Sequence, residues 1–295
     1  MPEPLAATRQ QAEQLAATLP ALLVAAERVA SIVAQGVHGR RRVGSGETFW
    51  QYRRYQPGEE TTRIDWRRSA RSSHVFIRET EWEAAESVWL WCDSSPSMDY
   101  RSPGAPTLKA ARAALLTLAL SVLLIRGGEH IALLGEGPRP ASGGAALGRM
   151  AAHFERKDRT SASLPFTEIL PRHAQVVLIG DFLSPLESVE ALVKHYVGSG
   201  VKGHVLQITD PAEETLPFTG RTRFEGLEGE GGLLIGRPES LRDDYTARFK
   251  AHREGLADIM RAAGWSFAAH HTDRPAQAAL LNLYTAMSVQ MRHSC

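Results

Sequence analysis

Asp93, Ser95 and Ser97 stand at alternate positions directly after the apolar run Val88-Trp89-Leu90-Trp91-Cys92. The run is short, aromatic and β-branched, which reads as a buried strand. Asp93 then falls at the carboxyl end of that strand, on the loop to the next helix. In an open α/β sheet this is where ligands bind. Three hard oxygen donors on one tight loop suit a small hard cation such as magnesium, with manganese or calcium as alternatives. The same residue types also hydrogen-bond locally to backbone, so the five-residue pattern alone leaves both readings open.

A second strand ends the same way. Val176-Val177-Leu178-Ile179-Gly180-Asp181 is the clearest strand in the chain and closes on a carboxylate. Two strands that each end in Asp and each lead into a helix place Asp93 and Asp181 at one edge of a parallel sheet. If the strands are neighbours, both carboxylates face one crevice at the topological switch point. Two carboxylates held close repel unless a cation or arginines sit between them. Ser184-Pro185-Leu186-Glu187 is expected to open the following helix as a capping box.

The elements around these loops follow a βα rhythm from Ser87 onward. Leu108 to Arg126 is apolar on nearly all sides and reads as a buried helix stopped by Gly127-Gly128. His130 to Leu134 is the next strand. Gly135 to Gly144 is turn-rich and suits a hairpin to a weak edge strand. Leu147 to Phe154 is a short helix, Val201 to Ile208 a strand, and Asp210 to Pro238 an exposed hairpin returning on Leu233-Leu234-Ile235. Leu241 to Ala263 is a long helix with Leu241, Tyr245, Phe249, Leu256 and Met260 inward. Trp265 to His270 is the last strand, and residues 275–291 form the closing helix. His270-His271 read as loop or capping groups ahead of metal ligands.

The first third of the chain differs. Leu15, Leu19, Leu22, Leu23, Ala26, Val29 and Val33 recur at helical spacing, with Pro20 starting a second helix or kinking a single one. From Arg40 to Arg78 there are ten arginines, no lysine and four acids, a local charge of +6 that leaves −5 on the rest. Glycines and aromatics are interleaved, which reads as short strands and turns, with Pro57-Gly58 a type II turn candidate. Three roles compete for this segment. Its arginines pair internally with Glu59 and Asp65, or face an acidic protein partner, or bind nucleic acid with aromatics stacking on bases. The fold class is therefore α/β. Residues 1–35 are an N-terminal helical segment, 36–84 an Arg-rich β/turn segment, and 85–295 a doubly wound, mostly parallel sheet with helices on both faces.

Composition bounds the function. With 295 residues, 43% hydrophobic and 23% charged, the chain is globular, and a net charge of +1 gives no overall pull toward nucleic acid or membrane. Cys92 and Cys295 are expected as free thiols. No apolar run has the length of a membrane span and no signal peptide is recognised, so a cytoplasmic location is expected. There is no H-E-x-x-H, G-x-S-x-G or G-x-x-x-x-G-K-[ST] motif.

Several short stretches occur in a telling order: Arg42-Val43-Gly44-Ser45-Gly46, then Tyr55-Gln56-Pro57-Gly58-Glu59, Arg63-Ile64-Asp65-Trp66, Ala70-Arg71, and Asp93-Ser94-Ser95-Pro96-Ser97-Met98. Together they resemble the signature of the bacterial family known as domain of unknown function 58, with Glu59 where an Asp is usual. The resemblance spans roughly residues 36–290. It makes Arg53, Arg54, Arg63, Asp65 and Arg71 candidate partner-binding or structural residues. Members of that family resemble von Willebrand factor A domains and are typically encoded beside MoxR-type AAA+ ATPases. The resemblance implies a metal-ion-dependent adhesion site. Ser95 and Ser97 would be direct magnesium ligands, Asp93 and Asp181 direct or through water, and an acidic side chain of a partner would complete the shell. A second-loop Thr is also implied. Thr160 is the best positional candidate, with Ser161, Ser163 or Thr167 as substitutes. The expected function is a non-catalytic cytoplasmic adaptor working with a MoxR-type AAA+ ATPase in assembly or maturation of a client complex. The alternatives are a metal-assisted hydrolase using Asp93 and Asp181, and nucleic-acid binding through the arginines.

Overall fold

The computed structural model describes residues 21–37, 49–54, 66–71, 74–80, 87–137, 139–156, 162–227 and 231–292. The chain divides into two compact units, one made of residues 1–37 and 86–295, the other of residues 38–85. The N-terminal helix α1 (Ala21–Val37) belongs to the larger unit.

In the smaller unit, β1 (Phe49–Arg54) runs antiparallel to β2 (Phe76–Thr80), in register from Gln51 opposite Glu79 to Arg54 opposite Phe76, with a shift of register between Phe49 and Gln51. A single helical turn, α2 (Trp66–Ser69), lies between them in sequence. The Ser69 hydroxyl accepts the Phe76 backbone N–H at 2.9 Å, tying the turn to the second strand. Pro57-Gly58 and the expected partners Glu59 and Asp65 lie outside the described residues.

The larger unit carries a five-stranded parallel sheet of β3 (Ser87–Cys92), β4 (His130–Leu133), β5 (Gln175–Gly180), β6 (Lys202–Thr209) and β9 (Ser266–His271), in the order β4-β3-β5-β6-β9. Beyond β4 an isolated antiparallel bridge joins Ile131 to Ala141, the place where a weak edge strand was expected. The first strand of this unit thus lies between the second and the third, and the order reverses there. That is the geometry of a topological switch point, between β3 and β5.

Helices cover both faces. On one side α3 (Lys109–Arg126), α4 (Gly144–Glu155) and α8 (Ala276–Arg292) close a core with Leu90, Val177, Ile179 and Leu206 of the strands. α3 is apolar all round because α1 packs against its outer side and against α8, with Leu23, Ala26, Ala30 and Val33 buried at helical spacing. Thr117 and Ser121 are buried within α3 and donate to the carbonyls four residues back, at 2.8 and 2.7 Å. On the other side α5 (Leu186–Gly198) and α7 (Arg242–Ala262) pack on Val176, Leu178 and Val205 through Val189, Val193, Tyr196, Leu256 and Met260. Gly203 of β6 lies under Trp265, where a Cβ would meet the indole ring at 2.1 Å, so only glycine fits.

Three local expectations are corrected. Ser184 does not cap α5; the cap residue is Pro185, and the Ser184 hydroxyl lies 2.8 Å from that of Ser163 instead. Leu241 is 44% exposed, because it sits on the 3-10 turn before α7, outside the helical stripe that buries Leu256 and Met260. The stretch after β6 holds a short helix, α6 (Pro211–Thr215), before the exposed hairpin of β7 (Thr222–Glu225) and β8 (Gly232–Ile235). The α6 start is a true capping box: Asp210 accepts the Ala212 N–H at 2.9 Å and Glu213 accepts the Asp210 N–H at 2.8 Å.

Candidate functional site

β3 and β5 are adjacent parallel strands, and the Asp93 N–H donates to the Ile179 carbonyl at 2.8 Å, so the pairing continues into the loop. This brings Asp93 and Asp181 to one edge of the sheet, each only 1% exposed. Room for the first carboxylate comes from Gly180, where a Cβ would lie 2.7 Å from the Asp93 Cβ and 2.9 Å from its Oδ2.

The first loop turns back on itself. Asp93 Oδ1 accepts the Ser95 N–H at 2.9 Å, and Pro96 opens a 3-10 turn that buries Met98. The Ser95 and Ser97 hydroxyls are 3.0 Å apart, and Ser97 donates to Asp181 Oδ2 at 2.7 Å. All four sequence-derived residues Asp93, Ser95, Ser97 and Asp181 therefore belong to one cluster. Asp181 is held by its backbone as well. Its carbonyl accepts Gln207 Nε2 at 2.9 Å, and its Oδ1 accepts the Leu183 N–H at 3.3 Å. The next residue, Phe182, has φ of 52° and is completely buried beside Trp91, and its carbonyl accepts His252 Nε2 at 2.8 Å. A bulky residue in the left-handed region is strained backbone, held here by ring packing and that hydrogen bond.

Two members of the cluster were not foreseen. Lys109, in the first turn of α3, is wholly buried; its ammonium donates to Asp181 Oδ2 at 3.1 Å and to Glu213 Oε1. Glu213 is fixed from both ends, by the capping box and by Tyr245, whose hydroxyl donates to the Glu213 carbonyl at 2.6 Å. Two signals existed in the sequence. Lys109 precedes Ala113, Leu116 and Leu120 at helical spacing on a buried stripe, and Asp210-Pro211-Ala212-Glu213 reads as a capping box right after a strand.

The electrostatics are uneven. Burial, and then the charge of Asp181, push the Asp93 carboxyl up to about 7. Burial works against the Lys109 ammonium, but the Asp181 and Glu213 carboxylates outweigh it and hold its pKa above the usual lysine value. Burial likewise raises Glu213. Asp93 Oδ2 is buried without a hydrogen-bond partner. An unpartnered buried carboxylate oxygen on the same short loop as two serine hydroxyls is a donor set suited to a hard divalent cation. Among the described residues no three His, Cys, Asp or Glu side chains form a metal cluster, so such a site draws on the hydroxyls.

The remaining candidates fall as follows. Thr160 and Ser161 lie outside the described residues, as do Arg63 and Asp65. Ser163 is engaged with Ser184, and Thr167 is exposed. Arg53 and Arg54 are on β1, and Arg71 is exposed just after α2. At the end of β9, His270 meets Arg112 Nη1 at 2.9 Å and His271 pairs with Glu214 at 2.6 Å. The Cys92 thiol, pushed up to about 12 by burial, is free. Among the described residues no helix is long and apolar enough to cross a membrane.

Comparison with known proteins agrees with the sequence signature. Uncharacterized protein Rv1480 of Mycobacterium tuberculosis is 26% identical over 282 residues, covering 88% of this chain and 86% of the relative, and Uncharacterized protein Mb1516 of Mycobacterium bovis matches to the same extent. Among solved structures, an aerotolerance-related membrane protein from Bacteroides fragilis aligns with a TM-score of 0.41 and 14% identity, over 69% of this chain and 99% of that one. The conserved hypothetical protein BatB from Bacteroides thetaiotaomicron aligns with a TM-score of 0.40 and 13% identity, with the same coverage. The sequence model described as "Protein of unknown function DUF58" matches residues 51–255, more than half of the chain. On that match the chain belongs to the DUF58 family.

Proposed function

We propose that this protein is a non-catalytic interaction module of von Willebrand factor A type, whose D-x-S-x-S loop and Asp181 hold a divalent cation such as magnesium. The observation that carries the reading is the buried, unpartnered Asp93 Oδ2 on the loop whose Ser95 and Ser97 hydroxyls lie 3.0 Å apart. Asp93, Ser95 and Ser97 would contact the ion, with Asp181 orienting Ser97 through their hydrogen bond. A bound divalent ion supplies a positive centre with an open position for a carboxylate oxygen. That oxygen would come from a partner protein. Two further features support the reading. The antiparallel bridge beyond β4 extends the parallel sheet as an edge strand of a von Willebrand-like domain would. Phe166 and Ile169 are 78% and 94% exposed, on a segment joined to the loop after β5 through Ser163 and Ser184.

The partner we propose is a MoxR-type AAA+ ATPase in the cytoplasm, acting on a client complex. This part of the proposal rests on the family resemblance. The test is calorimetric titration of the full chain with magnesium chloride, with Asp93→Ala as control. Heat in the wild type that is lost in the variant is the expected result. Magnesium heat of equal size in both would end the proposal.

A further inference from the structure

The carboxylates at this sheet edge outnumber their cations. Asp93, Asp181 and Glu213 are gathered within one chain of contacts, and among the described residues Lys109 supplies the one side-chain cation paired with them. Lys109 is not a loose surface lysine. It is fully buried, its stem rises from the first turn of α3, and its ammonium is gripped by two acids that are themselves fixed. It also donates to Asp181 Oδ2, the oxygen that receives the Ser97 hydroxyl. Any positive charge among Asp93, Ser95 and Ser97 would therefore be two hydrogen bonds from the ammonium, through Ser97 and Asp181.

We infer that Lys109 is a resident cation that competes with the divalent ion for the charge of this site, and that Glu213 anchors it there. The inference rests on the proposed metal-binding reading and adds the elements that set its strength. Like charges in a buried site repel far more strongly than in water. The ammonium is already paired with Asp181, so it lowers what a divalent ion gains by entering. Glu213 acts in the opposite direction. It carries a further negative charge into the cluster and keeps the ammonium placed between two carboxylates. The competing explanation is a buried ion pair kept for folding alone. The two differ in what they imply for magnesium affinity, and stability by itself does not separate them.

The experiment is a magnesium chloride titration by calorimetry on four full-length variants beside the wild type, with thermal melts in magnesium and in chelator as a second readout. Lys109→Met is expected to bind magnesium about tenfold tighter than wild type and to gain more thermal stability from the ion. Glu213→Gln is expected to bind about tenfold more weakly. The double variant Lys109→Met/Glu213→Gln conserves net charge and is expected to return close to wild-type affinity. Asp93→Ala marks the site. Where Lys109→Met does not fold, the weakening in Glu213→Gln and its recovery in the double variant carry the same information. Equal affinities in wild type, Glu213→Gln and the charge-conserving pair, with heat lost in Asp93→Ala, would overturn the inference and leave the metal site standing. No magnesium heat in any folded variant would overturn both.

Discussion

Lys109 and Arg112 are two buried cations three residues apart on α3, and they are satisfied in opposite ways. Lys109 is paired with two carboxylates. Arg112, 9% exposed, reaches no carboxylate in its hydrogen bonds; it donates to the carbonyls of Thr272, at 3.0 Å, and Arg274, and to the ring of His270 at 2.9 Å. The first is embedded in an excess of negative charge at the sheet edge. The second pins the turn between β9 and α8 with neutral acceptors, and burial pulls its guanidinium below the ordinary arginine value. A planar five-donor fork suits three acceptors at fixed angles, whereas a compact ammonium suits a charge to be balanced. Within one turn of helix, one cation serves the site's electrostatics and the other serves the fold.

Either cation can be disturbed without the other. Asp181→Ala should have the largest effect. It strips both Lys109 and Ser97 of their buried acceptor and should cost about 3–5 kcal/mol, lowering the melting temperature by on the order of 10 °C. Arg112→Met should cost about 3 kcal/mol by orphaning three acceptors. Hydrogen exchange should quicken at Thr272 and Arg274, while magnesium affinity stays unchanged. A shift in that affinity comparable to the Lys109 variants would erase the division of labour.

A pH series sharpens the same contrast. His270 is held down to about 4, chiefly by burial and then by the charges of Arg112 and His271, with Asp273 pulling the other way. Its folded pKa lies below the unfolded value of about 6.5. The unfolded chain therefore binds the proton first, and stability is lost as pH falls from about 6.5 toward 4. The loss attached to His270 should be about 2 kcal/mol between about pH 6.5 and 4.5. His270→Gln keeps an acceptor for Arg112 and should flatten that slope, measured by denaturant melts. An unchanged slope would mean that Arg112 does not hold a neutral imidazole. Ser97→Ala should be the mildest change. It removes one hydrogen bond to Asp181, about 1 kcal/mol, and should weaken magnesium binding while leaving the Arg112 end untouched in hydrogen exchange.

Much of the architecture was legible because parallel strands buried on both faces are continuous apolar runs, and β5 is of that kind, with β3 close to it and Lys202, His204 and Gln207 interrupting β6. The meeting of Asp93 and Asp181 followed from two strand ends plus the doubly wound rule. What escaped reading was polar chemistry hidden in apolar context. Lys109 sits at the head of a helix whose apolar surface dominates the pattern, and a single charge there looks like a helix end. Glu213 lay in a stretch read as exposed because glycine, glutamate and proline crowd it, although its first turn is half-buried with Ala212 inside. Ser184 showed the reverse failure. Its spacing to Glu187 matched a capping box, but Ser163, distant in sequence, takes the hydroxyl. Local patterns specify what a residue offers, and tertiary neighbours decide which offer is taken.

The seating of α1 against α8 has a consequence for how the chain is made. α1 is synthesised well before α8, with the 38–85 unit and every strand of the main sheet between them. Until α8 emerges, the apolar face of α1 with Leu23, Ala30 and Val33 has α3 and α4 but not α8 to pack on, and the face of α3 toward α8 stays wet. Closing so long a loop is slow, since contacts distant in sequence form late. A ribosome stalled within α8 should hold a nascent chain that is sticky and sensitive to protease, and emergence of the whole helix should protect α1 and α8 at once.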